Sequence, residues 1–294
     1  MDKYYGQLLM VMVTLIGASG WFLSKNAIAE LPPVGFMGLR FLLAGLIFLL
    51  PAYGQLRAID SRQFLCAASV GSALALNLFL WVLGITYSND FGEGAFLVSL
   101  SMLIAPLVSW LLFKHKPLLC FWLSMPIALF GLYFLAMASG ASGPSFSVGS
   151  LIFLLSSLSA ALYFVLNNQY AKNIATLALI VIQFFIVGSL CSGYSLLFET
   201  WPEHVSVQVW GWFWASTLIA TNLRYWLQTA GQKRCNITTA AMLMVLEPVW
   251  TLIVSVLFFS ESLSLDKFIG CGLILSALII YRLQSLSGRK KIRG

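Results

Sequence analysis

The sequence predicts an all-α integral membrane protein: ten transmembrane helices as two inverted five-helix repeats, both termini cytoplasmic. Three observations predict it. The 294 residues are 60% hydrophobic and only 9% charged, whereas a soluble domain is nearer half apolar and a quarter charged. Apolar runs of about 20 residues, the length of helix that crosses a bilayer, recur along the chain. Short motifs in the first half return in the second at a nearly constant offset. Lipid cannot satisfy backbone polar groups, so such runs form helices, and the alternating ten-residue segments of a β-barrel are missing.

The segments are justified in turn by their flanks. The first, 5–27, has only Lys3 beside Asp2 ahead of it and an apolar stretch, Gly6 to Phe22, longer than a signal-peptide core; it reads as a retained helix. The second, 34–53, opens after LPPVG. The third, 63–87, follows Arg57 and Arg62. The fourth, 93–113, opens at the end of SNDFGEG and carries Pro106. The fifth, 118–138, follows Lys114-His115-Lys116. The sixth, 148–170, follows SGASGPS, and the seventh, 175–198, follows Lys172. The eighth, 208–231, follows TWPEHV; the ninth, 236–259, follows Lys233-Arg234 and carries Pro248; the tenth, 266–285, opens at Asp266. Turn residues punctuate each junction.

With the N-terminus inside, every inner connection is basic: Lys3, Arg57 and Arg62, Lys114 and Lys116, Lys172, Lys233 and Arg234, and the end of the chain from Arg282. The outer ends collect Glu30, Asp90, Glu93, Glu199, Glu203, Glu261 and Asp266. This bias orients a multi-pass protein of the cell (inner) membrane with both termini inside, and it accounts for the net charge of +7 without nucleic acid. Cys66, Cys120, Cys191, Cys235 and Cys271 show no CxxC spacing; they read as small core residues, neither disulfide frame nor metal site.

The repeat joins WFLSKNAIA (21–29) to YFVLNNQYA (163–171), RFLLAG (40–45) to QFFIVG (183–188), NLFLW (77–81) to NLRYW (222–226), and MLIAPLVSW (102–110) to MVLEPVWTL (244–252). Four matches in one order divide the chain into a first repeat over 1–140, a second over 141–288 and a basic tail over 289–294. Five helices per half is odd, so the second half enters the membrane from the opposite side, the arrangement of many secondary transporters.

These stretches, with the GEGAFLVSLSMLIAPLVSWLL and MLMVLEPVWTLIVSVLFFSESL runs and the acid Glu261, resemble the drug/metabolite transporter superfamily, of the ten-helix type with two EamA-like repeats. The resemblance implies a central cavity lined mainly by helices 1, 3, 4, 6, 8 and 9, and alternating access by rocking of helix bundles. The chain departs from the pattern at Lys114-His115-Lys116, where many relatives carry a glutamate.

Ionisable groups inside a membrane are functional candidates by default. Arg40, Arg224 and Glu247 lie within spans. Arg224 is ten residues before Arg234 and Glu247 thirteen after it, so on antiparallel helices their depths differ by about 4–5 Å. Their first-half counterparts are Phe79 and Ala105; both charges are gained together, as a mutually neutralising pair would be. Two readings of the pair stand side by side, a strut between helices 8 and 9 and a substrate- or proton-handling site. The predicted substrate-binding set is Asn77, Trp81, Tyr163, Asn167, Asn222, Arg224, Trp226 and Glu247. Amides donate and accept, and indoles offer flat faces to a ring or cation; helix packing is the competing role for each. GASG (17–20) is read as packing.

The function expected is secondary transport of a small organic metabolite (amino-acid-like, amine or nucleoside-like), with Glu247 the proton carrier if the cycle is coupled. A lipid-linked substrate flippase and an uncoupled facilitator are the alternatives. An enzyme fits poorly, since both histidines, His115 and His204, fall in loops. No cofactor and no metal are expected. The partners are the solute, membrane lipid and, in a coupled cycle, protons; the chain is a monomer or weak homodimer.

Overall fold

A computed structural model describes residues 2–87, 91–138, 148–259 and 264–293; Asp90 and Glu261 lie outside these. Every element among the described residues is helical. The helices are α1 (Asp2–Ala27), α2 (Pro33–Arg57), α3 (Ser61–Tyr87), α4 (Phe91–Phe113), α5 (Leu119–Ala138), α6 (Val148–Tyr170), α7 (Thr176–Phe198), α8 (Val207–Ala215), α9 (Arg224–Arg234), α10 (Ile237–Met244), α11 (Glu247–Phe259) and α12 (Leu265–Arg293). A π-helical segment, Ser216–Leu223, joins α8 to α9.

Among the described residues, six stretches are long and apolar enough to span a bilayer: Tyr4–Ser24, Pro33–Arg57, Ser61–Gly84, Val148–Tyr170, Thr176–Phe198 and Ile237–Val254. Leu97–Phe113 and Leu119–Leu135 are shorter apolar helices. Two predicted segments are not single helices. The eighth divides at the π-helical segment, and the ninth breaks at Val245–Leu246 between α10 and α11. The tenth runs on as helix to Arg293, because GRKKIR contains nothing after Gly288 that stops a helix.

Packing follows a simple scheme. α2 lies along α7 and α5 along α12; α3 and α4 pack on α6, and α9, α10 and α11 pack on α1. The α5–α12 crossing is close because Gly131 and Gly270 face each other: a Cβ on either would stand 2.8 Å from the other's carbonyl oxygen. One apolar core joins α2, α3, α6 and α7; a second joins α1, α6, α9 and α10; a third joins α4, α5, α10, α11 and α12. Leu50, Leu111, Leu119, Leu197 and Phe268 are exposed, as lipid-facing side chains should be. The five cysteines are free thiols.

Two acids tie helix starts to distant chain. Glu199 accepts from the amides of Val34 (3.0 Å) and Gly35 (2.7 Å), supplying the cap that Pro32 cannot. Glu30 accepts from the amide of Ser206, the residue that caps α8 (2.7 Å). A carboxylate at a helix N-terminus is favoured by the exposed amides there.

Candidate functional site

The break before α11 has a local cause. Pro248 has no N–H, so the carbonyl of Met244 loses its helical donor. Val245 and Leu246 donate instead to carbonyls three residues back, Met242 (3.3 Å) and Leu243 (3.1 Å). Glu247 thereby becomes the first residue of a new helix, an end at which negative charge is favoured.

Arg224 sits at a second irregularity. Ser216 and Thr217 hydroxyls donate to the Phe213 carbonyl (both 2.8 Å), and the Thr221 hydroxyl donates to the Ser216 carbonyl (3.3 Å). Such back-bonding competes with the regular ladder, and π-helical turns recur at functional sites. Arg224 opens α9 directly after this segment. Its Nη2 donates to both carboxylate oxygens of Glu247, 2.9 Å to Oε2 and 3.2 Å to Oε1. The side chains keep 24% and 17% of their surface exposed.

α1 closes the third side. A Cβ on Gly17 would lie 2.7 Å from the Glu247 carboxyl carbon, and one on Gly20 would lie 2.9 Å from the Ala220 methyl in the π-helical segment. The GASG stretch thus lets α1 approach the charge pair as well as its neighbour helix. Two donors here have no partner: Arg224 Nε and the buried indole nitrogen of Trp250, three residues beyond Glu247.

Arg40, on α2, lies on the other side of the π-helical segment. Its Nε donates to the Thr221 hydroxyl and its Nη1 to the Ser24 hydroxyl (3.0 Å). The guanidinium carbon stands 5.5 Å from the centre of the Phe36 ring and 6.0 Å from that of Phe41. Among the described residues no carboxylate comes within ion-pair distance of it. Thr221, to which Arg40 donates, stands three residues before Arg224. Tyr225 fills the space beside them, edge-on to Phe41 (5.7 Å) and Phe184 (5.5 Å). Tyr163 lies 6.3 Å from Tyr225 and accepts from Gln228 Nε2 (3.4 Å).

The other predicted site residues make separate contacts of their own. Asn167 is fully buried in a polar knot: its Nδ2 donates to the Gln232 side chain and to the Thr229 hydroxyl (3.3 Å), and its Oδ1 accepts from Gln183 Nε2 (3.0 Å). Asn168 adds bonds to the carbonyls of Gln232 (2.8 Å) and Cys235 (3.2 Å). Asn77 accepts from the Ser156 hydroxyl through its side chain (3.1 Å) and carbonyl (3.2 Å). Trp81 packs half-buried against the first apolar core. Asn222 donates to the Ala44 carbonyl (3.3 Å), while its buried Oδ1 is unpartnered. Trp226 is 42% exposed and shares an apolar outer stripe with Ile219 and Leu223. Two residues along a helix turn it about 200° away from Arg224.

Sequence reasoning read Gly17 only as a packing residue and did not single out Thr221, Gln183, Gln232 or Trp250. Gln183 carried a readable signal, since it stands in QFFIVG where the first half has the arginine of RFLLAG. Gln232 and Trp250 carried none, because their roles depend on which helix lies opposite.

The profile of the EamA-like transporter family matches residues 4–137 and again 147–283. An Archaeoglobus fulgidus protein described as an uncharacterized transporter is 27% identical over 96% of this chain and 87% of its own. A Bacillus subtilis protein described as uncharacterized transporter YvbV is 22% identical over 95% of this chain and 92% of its own. A solved crystal structure shares the fold, with a TM-score of 0.79 at 17% identity, over 96% of this chain and 98% of the other.

Proposed function

The chain belongs to the EamA-like transporter family, and from that premise we propose that it is a secondary transporter of an amino-acid-like metabolite across the cytoplasmic membrane, working by alternating access. The observation that carries the reading is the Arg224–Glu247 pair, held where two interrupted helices of the second half meet Gly17 of the first. Interrupted helices at a repeat junction are where secondary transporters hold their substrates. Arg40, Arg224 and Glu247 together carry two positive charges and one negative. The surplus, with the unpartnered Arg224 Nε and Trp250 indole, favours a carboxylate. Glu247 is placed to receive an ammonium group or a proton, and Tyr163 and Tyr225 offer hydroxyls and faces.

Ten spans as two inverted halves, with both termini inside, remain the architecture proposed. Exchanging the halves maps α2 with α7 and α5 with α12 onto themselves, and maps α3 on α6 onto α9 on α1. The basic inner loops support the orientation.

Counterflow in liposomes across a panel of amino acids, matching amines and nucleosides tests the reading. Amino acids should exchange and amines lacking the carboxylate should not. Glu247→Gln should abolish dependence on an imposed pH gradient; full retention of that dependence rules out Glu247 as the proton carrier, and exchange by the unaltered chain with no such dependence assigns an uncoupled facilitator. Exchange of amines or nucleosides alone would refute the carboxylate assignment.

A further inference from the structure

The three-residue link between α2 and α3 leaves those helices side by side in sequence, yet they scarcely touch: α2 packs on α7, and α3 on α6 and α7. The result is a groove with α7 as its floor. One hollow in it, about 530 Å³, has Leu49, Leu56, Phe64 and Ser72 on its walls and Ile186 and Leu190 on its floor. A second hollow of about 520 Å³ continues it through the shared Leu56, Phe64 and Ile182 to Asp60 and Ser61 at the end of the link.

The groove is built rather than incidental. Gln55, on α2, accepts from the amide of Ala178 near the start of α7 (3.4 Å), and Gln63, on α3, donates to the Asn173 carbonyl just before it (3.1 Å). Both walls are therefore pinned to the floor at the polar end. From Ser61 to Ser72 the groove runs eleven residues of helix, about 16 Å, which is half a hydrocarbon core of about 30 Å. Its depth is that of one leaflet.

Its polar end is basic. Arg57 and Arg62 are both exposed there. Arg57 lies over the ring of Tyr53, 4.4 Å from its centre, and Tyr53 is spaced four residues after Leu49 and three before Leu56, on the same face of α2. The one acid, Asp60, is engaged in capping α3, accepting from the Gln63 amide (2.6 Å). An apolar trough one leaflet deep, ending in arginines at the interface, matches an acyl chain below a phosphate.

We propose that this groove is a specific site for one glycerophospholipid with an anionic headgroup, one acyl chain lying between α2 and α3 and the phosphate held by Arg57 and Arg62. It is separate from the Arg224–Glu247 cluster and does not depend on what the protein transports.

Native mass spectrometry of the detergent-purified chain, with phosphatidylglycerol or phosphatidylcholine added back, tests it. The unaltered chain should retain one phosphatidylglycerol through washing that removes the rest. Ser72→Phe with Ser189→Phe, both at exposed positions facing the groove, should lose it. Arg57→Gln with Arg62→Gln alters only exposed side chains, and its preference for the anionic lipid should fall about tenfold or more. Equal retention of phosphatidylcholine, undiminished preference in the arginine variant, or full retention in a folded groove-filled variant would each overturn the site. So would displacement of the lipid by soluble glycerol 3-phosphate, since the acyl chain would then contribute nothing. Should the groove-filled variant fail to fold, the arginine variant and the displacement decide.

Discussion

Replacing Glu247 by Ala and Arg224 by Phe installs at both positions the residue types the first half carries, Ala105 and Phe79. The single change Glu247→Ala leaves Arg224 without its acid, and its Nε already lacks a partner. Breaking a buried pair costs about 3–5 kcal/mol; side chains that are 24% and 17% exposed bring this to about 2–3 kcal/mol. At about 2–4 °C per kcal/mol for a chain of this order, the melting temperature should fall by roughly 4–12 °C. Arg224→Phe alone strands the carboxylate, though the α11 N-terminus still favours it, so its loss should be the smaller. The double variant removes both charges together and should recover most of the single-variant losses. Thermal unfolding in detergent reads the cycle, and a coupling of about 2 kcal/mol is expected. If the two losses simply add, the charges do not neutralise each other and the pairing argument fails. Transport by the same double variant separates the two roles: full exchange assigns a strut, and loss of exchange in a stable protein assigns substrate handling.

Gly17→Ala should lower both stability and transport, because its methyl group would stand 2.7 Å from the Glu247 carboxyl; about 1–3 kcal/mol is expected from overpacking, measured by unfolding and counterflow together. Asn167→Ala should cost about 2–3 kcal/mol, since Gln183 and Gln232 are left with buried unpartnered groups, while substrate KM in the folded fraction stays unchanged. Glu199→Ala should cost about 1 kcal/mol by uncapping α2, visible as faster amide exchange at Val34 and Gly35. Trp226→Phe should leave KM unchanged, and a rise of tenfold would place that indole at the substrate after all.

Composition alone determined that this chain lives in lipid and is helical: with 60% hydrophobic residues and no solvent for the backbone, helices are the available answer. The four internal matches set one half beside the other, and that comparison exposed Arg224 and Glu247 as charges facing Phe79 and Ala105 in the first half. Proline at 248 was readable as an interruption, since its missing N–H acts wherever the helix lies. What no local pattern carries is which side chains meet. Asn167 and Trp226 read alike as polar or aromatic residues on repeat-related helices. Only packing against α7 and α9 turned Asn167 into the centre of a hydrogen-bonded knot, and only the turn of helix beyond the π-helical segment put Trp226 on the outer stripe. Gly17 looked like a packing glycine, and it is one; what it packs against is a carboxylate supplied from another part of the chain. In a membrane every helix is apolar over most of its surface, so hydrophobic periodicity does not mark the inward face. That face is chosen by close approach and by pairing of the few polar groups, and both exist only once the helices are assembled.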